Sequence, residues 1–318
     1  MEIERYEQRD RDEWDAVVRA SRNGTFLFLR DYMEYHRDRF EDASLVARRH
    51  AGGAILAVLP ANRRDDVLES HGGLTYGGWV FGADMTLGLM LEVFGAAVER
   101  LRSEPVRLLR YRPVPHVYHR SPAEEDLFAL DRLGARLARR APMSVIDLRR
   151  PLPWQERRRR GGRKAAGAGL TAGESDDLAG YWELLSTVLA GTYGATPVHS
   201  LDEMRRLRAA FPGNIRLFTC GKGGRQVAGV LVYETDLVAR AQYIAASEEG
   251  KEAAALDLLF EHLVRRVYGG KAYFDLGTSE GVGPAGLNPG VLEYKEGLGA
   301  RLVVQDTWEL PIAVAGAG

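Results

Sequence analysis

The pattern of hydrophobic and polar positions repeats once along the chain, so that two halves present the same elements in the same order roughly 170 residues apart. Each half begins with the spacing of an amphipathic helix that carries a tryptophan, at residues 12–20 and 177–190. A second, shorter helical pattern that ends in phenylalanine follows at residues 31–40 and 201–211. The repeat predicts two domains with a common fold.

After these helices, each half shows two apolar runs separated by a glycine-rich turn, which is typical of a β-hairpin. Glycine suits such turns because it adopts the positive φ angles that they require. The predicted hairpin strands are residues 45–49 and 54–59 in the first half, and residues 215–220 and 227–233 in the second.

Each half then continues as a strand, a long helix and another strand. These elements are residues 74–79, 87–101 and 106–110 in the first half, and residues 240–245, 252–267 and 272–276 in the second. A hairpin that leads into strand, helix and strand predicts the α+β class. We therefore expect two tandem α+β domains, each a mixed sheet covered by helices, with a cleft between them as the natural site.

The expected division of the chain follows from the repeat. It gives domains at residues 1–148 and 166–312, a basic junction at 149–165 and a flexible tail at 313–318. A length of 318 residues, with 45% hydrophobic and 27% charged residues, suits two globular domains that each bury a core.

Several features together predict a cytoplasmic protein. No apolar run approaches the roughly 18 residues of a membrane-spanning helix, and the charged N-terminus lacks the apolar core of a signal peptide. A single cysteine, Cys220, excludes an internal disulfide and fits a reducing compartment. Because Cys220 lies in an apolar run, we expect a buried thiol on a strand rather than a nucleophile.

Positive charge is concentrated at the junction, although the net charge of the whole chain is only −1. Residues 149–164 contain eight basic side chains and one acidic side chain. Arginine forks match phosphate oxygens, and such contacts dominate affinity for RNA. The hypothesis is that Arg160, Arg163 and Lys164 bind phosphate, whereas Arg157 and Arg158 fit a solvated charged helix equally well.

A set of short motifs carries a resemblance to a known family. The motifs are SHGGLTYGG (70–78), PHVYH (115–119), PAEED (122–126), PVHS (197–200), AQYIA (241–245), FDLGTS (274–279), LNPG (287–290) and YKEGLG (294–299). The element order resembles that of GNAT acyltransferases, and its duplication resembles the Fem family of aminoacyl transferases. The resemblance covers residues 10–310 and rests on the order of the motifs rather than on one of them.

This resemblance implies an enzyme that forms an amide on the amine of a small-molecule or peptide acceptor. It implies no tightly bound cofactor, and an acyl donor that is aminoacyl-tRNA in some members and acetyl-CoA or another acyl-CoA in ordinary GNAT enzymes. An acyl-CoA enzyme of this kind would act on an amino sugar or a natural-product precursor. A third hypothesis is a double GNAT module that binds ligands without turnover.

The loop at residues 247–252 disfavours CoA as the donor. GNAT enzymes hold the CoA pyrophosphate with a loop of pattern Arg/Gln-x-x-Gly-x-Gly/Ala, where backbone N–H groups at a helix N-terminus face the anion. Here the loop reads Ser247-Glu248-Glu249-Gly250-Lys251-Glu252. Its three carboxylates would repel a pyrophosphate, so aminoacyl-tRNA is the favoured donor.

Amide formation needs a neutral amine, a donor for the developing oxyanion and a route for the proton. In Fem enzymes a lysine at the position of Lys295 lies near the donor, so the resemblance implies that Lys295 binds a phosphate or the oxyanion. Asp275 ends a predicted strand, and it either orients the amine or accepts its proton, or instead caps the following turn. Tyr243 and Gln242 alternate on one strand, so only one can face a cleft; the resemblance favours Tyr243.

Other polar residues of the motifs are candidates for binding substrate. They are His71, Tyr76, Tyr118, His199, Ser279 and Asn288. The histidines show no spacing typical of a metal site. The absence of a Gly-x-Ser-x-Gly elbow, a P-loop and a Rossmann fingerprint leaves hydrolase, kinase and dehydrogenase hypotheses without support.

Overall fold

The structure, a computed structural model, describes residues 1–70 and 72–313 and divides into two compact units. The first unit is Met1–Ala141 together with the segment that begins at Val304, and the second is Pro142–Val303. These boundaries differ from those that the repeat predicts. Residues 149–165, the predicted junction, belong to the second unit, and the strand near the C-terminus belongs to the first. Of the predicted tail, residues 314–318 lie outside the described residues.

In the part of the chain that the structure describes, the first unit has nine strands and four α-helices, counting β9, which crosses its boundary. In chain order they are β1 (Glu2–Arg5), α1 (Arg11–Ala20), α2 (Arg30–Met33), β2 (Glu41–Asp42), β3 (Leu45–Arg48), β4 (Ile55–Leu59), β5 (Asn62–Arg64), β6 (Val67–Glu69), β7 (Val80–Phe81), α3 (Leu87–Arg102), β8 (Leu108–Tyr111), α4 (Glu125–Arg132) and β9 (Arg136–Asp147), of which β9 continues past Ala141 into the second unit.

The strands of the first unit form two groups. One is a four-stranded antiparallel sheet in the order β1, β3, β4, β7. The other places β8 beside β6 in parallel, with β5 and β2 following in antiparallel order. Helix α3 packs its apolar face into the core of this unit through residues such as Met90, Phe94 and Leu101, all fully buried.

The second unit supplies the remaining elements. They are α5 (Glu156–Gly167), β10 (Thr171–Glu174), α6 (Leu178–Tyr193), α7 (Leu201–Ala210), β11 (Ile215–Lys222), β12 (Arg225–Glu234), β13 (Val238–Ala246), α8 (Glu248–Glu252), α9 (Ala255–His262), β14 (Tyr273–Thr278), α10 (Pro289–Gly297) and β15 (Arg301–Pro311), of which β15 continues past Val303 into the first unit.

The sheet of the second unit is mixed, in the order β10, β11, β12, β13, β14, β9. Its neighbours are antiparallel except β13 and β14, which are parallel. The β11–β12 hairpin turns at Gly223 and Gly224, whose φ angles of 59° and 81° only glycine adopts readily. Cys220 lies buried on β11, as predicted.

Strand β15 explains why the C-terminal segment belongs to the first unit. Residues 308–311 pair antiparallel with β8 of that unit. Leu310 and Ile312 are buried in its hydrophobic core, with 3% of each residue exposed. The repeat in the sequence could not predict this pairing of β15 with β8, because a strand's partner depends on long-range contacts rather than on local pattern.

Helix α5 replaces the predicted junction and lies against α9. Two consecutive glycines make the close approach possible. A Cβ built at Gly161 would lie 1.9 Å from Oδ2 of Asp257, and one at Gly162 would lie 3.0 Å from Oε2 of Glu261. Glycine weakens a helix interior by about 1 kcal/mol relative to alanine, so its presence here reflects packing rather than helix propensity.

The predicted α+β class with mixed sheets and covering helices is confirmed. Two local predictions were wrong. Residues 74–79 were expected to form a strand, but the strand is Val80–Phe81, because Gly78 has a φ of 88° and lies directly against the Tyr111 hydroxyl. The predicted helix at 252–267 is interrupted at Ala254, whose φ of 57° is left-handed, and it ends in a π-helical turn at Leu263–Val267.

Among the described residues, no helix combines the length and apolar character needed to cross a bilayer.

Candidate active site

The second unit contains a cavity of about 360 Å³ between helices α6, α9 and α10 and the ends of strands β13 and β14. Its walls are mainly apolar, with two lysines at the edge. The lining residues are Val188, Leu189, Thr192, Ile244, Ala245, Ala246, Lys251, Leu256, Phe260, Leu276, Gly290, Val291, Tyr294 and Lys295.

The parallel strands β13 and β14 position this cavity. Their ladder pairs residues 238–240 with 273–275. Beyond the paired residues, residues 244–246 of β13 and Leu276 of β14 line the cavity. Along the edge that pairs with β12, strand β13 carries a bulge. Leu231 pairs with Tyr243 and Val232 with Ala241, so that Gln242 is the extra residue. The sheet therefore opens at the point where the cavity lies.

Lys295 lies on α10 at the edge of the cavity, with only 6% of the residue exposed. Its Nζ donates hydrogen bonds to the carbonyl oxygens of Gly277 (3.2 Å) and Thr278 (2.6 Å). Burial lowers the pKa of Lys295 to about 8, although the nearby Asp275 carboxylate opposes the shift. A protonated lysine has three N–H donors, so one N–H remains for a ligand after these two bonds.

Asp275 is fully buried on β14, and both of its oxygens accept hydrogen bonds. Oδ1 accepts from the backbone N–H of Gly277 at 2.7 Å, and Oδ2 accepts from Nη1 of Arg240. These contacts favour positioning of the neighbouring cations over proton transfer as the role of Asp275.

Arg240 is a residue that sequence reasoning missed. It lies on β13 directly beside Asp275 in the parallel ladder and forms an ion pair with it. Its charge opposes protonation of Lys295. The signal in the sequence was two oppositely charged residues in neighbouring apolar strands, and it becomes readable only once β13 and β14 are known to be adjacent.

Ser279 and Asn288 lie next to the segment that binds Lys295. Asn288 caps α10, because its Oδ1 accepts from the N–H of Val291 at 3.1 Å, and its own N–H donates to the Ser279 carbonyl at 2.8 Å. The Ser279 hydroxyl lies 3.4 Å from that of Ser144. Both residues therefore fix the start of the helix that carries Lys295.

Tyr243 and His199 contact each other. The Tyr243 hydroxyl lies 2.6 Å from Nδ1 of His199, and its ring packs edge-on against Trp182. Burial raises the pKa of Tyr243 to about 12. Tyr243 is not among the residues that line the cavity, whereas the next residue, Ile244, is.

The remaining substrate-binding candidates belong to the first unit. Tyr76 and Tyr118 are buried, with ring centroids 4.9 Å apart, and the Tyr76 hydroxyl donates to Oγ1 of Thr25 at 3.4 Å. The structure thus brings these two together within the first unit. His71 lies outside the described residues.

The basic residues of α5 are largely engaged within the second unit. Arg158 pairs with Asp257 at 2.9 Å, and Arg157 with Glu293 at 2.7 Å. Arg163 pairs with Glu156 at 2.7 Å, and Nζ of Lys164 donates to the Glu252 carbonyl at 2.5 Å.

These contacts leave an excess of positive charge on α5. Six basic side chains between Arg157 and Lys164 are balanced by three carboxylates, those of Glu156, Asp257 and Glu293. Arg160 is exposed and forms no ion pair with a residue that the structure describes.

A family model matches the segment of the chain that contains this site. Residues 155–296 match the model described as the acetyltransferase (GNAT) domain. We call residues 155–296 the GNAT domain after the model that they match. The match includes the cavity, the Lys295 cluster and all of α5 within one domain.

Solved structures extend the likeness to the rest of the chain. The crystal structure of FemX is 13% identical, covers 98% of this chain and 97% of that chain, and has a TM-score of 0.70. The C-terminal (DUF2156) domain of a putative lysylphosphatidylglycerol synthetase from Agrobacterium fabrum is 12% identical, with coverage of 95% and 91% and a TM-score of 0.61. A tandem GNAT protein from the clavulanic acid biosynthesis pathway is 13% identical, with 98% coverage of both chains and a TM-score of 0.52.

At these identities the likeness shows the fold, and the chain has the Fem-like, tandem GNAT fold. None of the curated proteins matches the sequence significantly.

Within the GNAT domain, residues 247–252 form a capped short helix with an acidic first turn. The Ser247 hydroxyl caps this helix by accepting from the N–H of Gly250 at 3.1 Å. A Cβ at Gly250 would lie 2.2 Å from the Val227 carbonyl, so the helix is packed tightly on β12. Glu248 and Glu249 are exposed in its first turn, where carboxylates oppose binding of an anion.

Proposed function

We propose that the GNAT domain transfers an acyl group to the amine of a small-molecule or peptide acceptor, with the reaction centred on Lys295. The observation that carries this proposal is a buried ammonium at the edge of an apolar cavity, where the parallel strands β13 and β14 separate. A preorganised cation in a water-poor site stabilises developing negative charge far more than it does in water.

In this reaction the neutral amine of the acceptor attacks the carbonyl carbon of the donor. A C–N bond forms, the C–O bond of an ester or the C–S bond of a thioester breaks, and the proton lost by the amine ends on the departing hydroxyl or thiol. The remaining N–H of Lys295 would donate to the oxyanion of the tetrahedral intermediate. Arg240 and Asp275 would hold this lysine in position through the ion pair and the Gly277 backbone.

Aminoacyl-tRNA is the donor that the charges favour. The surface of α5 carries excess positive charge, and the Ser247–Glu252 segment, where a CoA pyrophosphate would lie, carries three carboxylates and one lysine. Lys251 is paired with Glu248, and Glu249 with Arg225. Phosphate contacts of a tRNA would fall on Arg160, Arg163 and Lys164.

Acetyl-CoA or another acyl-CoA is the second candidate donor, and the apolar cavity is the observation that supports it. The matching family model is that of an acetyltransferase domain, and the cavity has the size typical of small-molecule sites, roughly 300–1,000 Å³. On this alternative the acceptor is an amino sugar or a natural-product precursor.

Radiolabelled aminoacyl-tRNA and acetyl-CoA, each incubated with the protein and a panel of amines, would test the proposal. We expect label in an amide product with wild type and a decrease of about 10²–10³ in kcat for Lys295→Met, typical of losing one oxyanion donor. Wild-type activity in Lys295→Met, or no product from either donor, would contradict the proposed reaction.

The donor is tested separately by replacing Arg160, Arg163 and Lys164 together with alanine. Each lost phosphate contact should reduce the slope of log affinity for tRNA against log salt by about one unit. A matched control is Arg205→Ala on α7, an exposed arginine of the same domain. A triple variant with the salt slope of wild type would remove α5 from the donor site, and micromolar acetyl-CoA binding would favour the alternative.

A further inference from the structure

The residues that line the cavity indicate which kind of group it can bind. Eight of the described lining residues carry sizeable aliphatic or aromatic side chains: Val188, Leu189, Ile244, Leu256, Phe260, Leu276, Val291 and Tyr294. Among the described residues that line it, the charged ones are Lys251 and Lys295, and no carboxylate is present. The cavity therefore offers a mainly apolar surface and, among its described lining residues, no carboxylate to pair with an ammonium group.

Its size exceeds that of the smallest acyl groups. On the same measure, one water needs roughly 10–15 Å³, whereas the cavity measures about 360 Å³. An acetyl or glycyl group would leave most of this volume filled with water against apolar walls, which forfeits the free energy of burying them.

We infer that the transferred acyl group is bulky and apolar, and that its side chain or hydrocarbon chain fills this cavity while its carbonyl lies at Lys295. The inference rests on the proposed acyl transfer and adds the class of acyl group. For an aminoacyl donor, the α-ammonium stays outside the cavity, because the nearby Lys295 and the apolar walls both disfavour it. The preferred residues are then leucyl or phenylalanyl; for a thioester, they are butyryl or longer chains.

Val291 is a lining residue at which the size of the cavity can be changed. It is half-buried on α10, one turn before Lys295, and it lines the cavity. A tryptophan at this position would occupy space in the cavity that the acyl group needs. Leu302 offers a matched control, because it belongs to the same unit, is 63% exposed and does not line the cavity.

Calorimetry with two series of stable or slowly reacting probes tests the inference without an acceptor. One series is acetyl-, butyryl- and octanoyl-CoA, and the other is adenosine with a 3′-amide-linked glycyl, leucyl or phenylalanyl group. In the series that matches the true donor, we expect affinity to rise about fourfold for each buried methylene, which corresponds to about 0.8 kcal/mol. Val291→Trp should reduce the ratio of long-chain to short-chain affinity at least tenfold, and Leu302→Trp should keep the wild-type ratio.

The outcomes separate the inference from the proposed function. Donors that bind with equal affinity whatever their chain would overturn the inference and leave acyl transfer intact, since the cavity would then hold another part of the donor, such as the pantetheine arm. An unchanged ratio in Val291→Trp would also overturn it. Failure of both series to bind wild type would contradict the proposed function and the inference with it.

Discussion

Several opposing effects determine the pKa of Lys295. Burial in the GNAT domain disfavours the charged form, Arg240 adds to this effect, and Asp275 with two backbone carbonyls opposes it, so that the pKa lies at about 8. At neutral pH the lysine is therefore protonated and can donate to an oxyanion. An ordinary exposed lysine, with a pKa near 10.4, would keep this capacity to much higher pH.

This protonation predicts how the rate depends on pH. If the ammonium is the active form, its contribution is fully present below pH 8 and is lost as the pH rises through about 8. The acceptor amine titrates as well, so the useful quantity is the ratio of kcat/KM in wild type to that in Lys295→Met at each pH. We expect this ratio to be constant from pH 6 to 7 and to fall above pH 8.

The same profile in Asp275→Asn supplies the control. Without the carboxylate, the pKa of Lys295 should fall further, since Asp275 raises it, and the decline should begin at lower pH. A ratio that stays constant to pH 10 would show that the charge of Lys295 plays no part in the reaction.

At the scale of single elements, the sequence of α5 is constrained by the side chains of α9 against which it packs. Gly161 lies over Asp257, which is itself paired with Arg158 and has 4% of its side chain exposed. A side chain at this position would clash with the Asp257 carboxylate and disturb this ion pair, and breaking a buried pair is costly. Gly167, at the last position of the same helix, has open space around it.

We therefore expect Gly161→Ala and Gly167→Ala to have opposite effects on stability. Gly161→Ala should destabilise the GNAT domain by about 1–3 kcal/mol, typical of overpacking, despite the better helix propensity of alanine. Gly167→Ala should be neutral or stabilise by up to about 1 kcal/mol. The melting temperatures of the two variants relative to wild type measure this difference, and a stabilised Gly161→Ala would show that α5 does not depend on the close contact.

Elements with a strong local pattern were predicted well from the sequence. Helices α1 and α3 and the β3–β4 and β11–β12 hairpins fall within a few residues of their predicted positions. The interruption at Ala254 was not predictable, because alanine at a positive φ opposes its local preference and is imposed by packing.

The site was predictable only in part, for a related reason. Lys295 was proposed through its motif, and the structure shows it buried beside Asp275. The engagement of Arg240 with Asp275 and of Arg158 with Asp257 depends on which elements are neighbours. Charge counts along α5 give its excess of positive charge, but not which cations are paired.

For the molecule as a whole, the two units differ in how the chain builds them. The second unit is the continuous segment Pro142–Val303, whereas the first needs β15 from the far end of the chain. Burying two side chains the size of Leu310 and Ile312 contributes roughly 1.5–3 kcal/mol each. Together they contribute roughly 3–6 kcal/mol, which is a large share of the stability of a typical domain, about 5–15 kcal/mol.

Separate expression of the units should therefore give unequal results. Residues 142–303 should fold alone, with a cooperative thermal transition and dispersed amide signals in NMR. Residues 1–141 should remain unfolded or aggregate, and fusing residues 304–313 before Met1 through a flexible linker should restore the fold. A stable fold of residues 1–141 alone would show that β15 is dispensable, and the same linker carrying a scrambled segment controls for the added length.

Because β15 belongs to the first unit but follows the second unit in the chain, it also constrains the order in which the two units can fold during synthesis. The first 141 residues leave the ribosome first, yet the strand that pairs with β8 is translated after the entire GNAT domain. The usual sequence, in which the N-terminal domain folds first, is thus reversed here. The second unit can be complete while the first unit, made before it, still lacks the strand that pairs with β8.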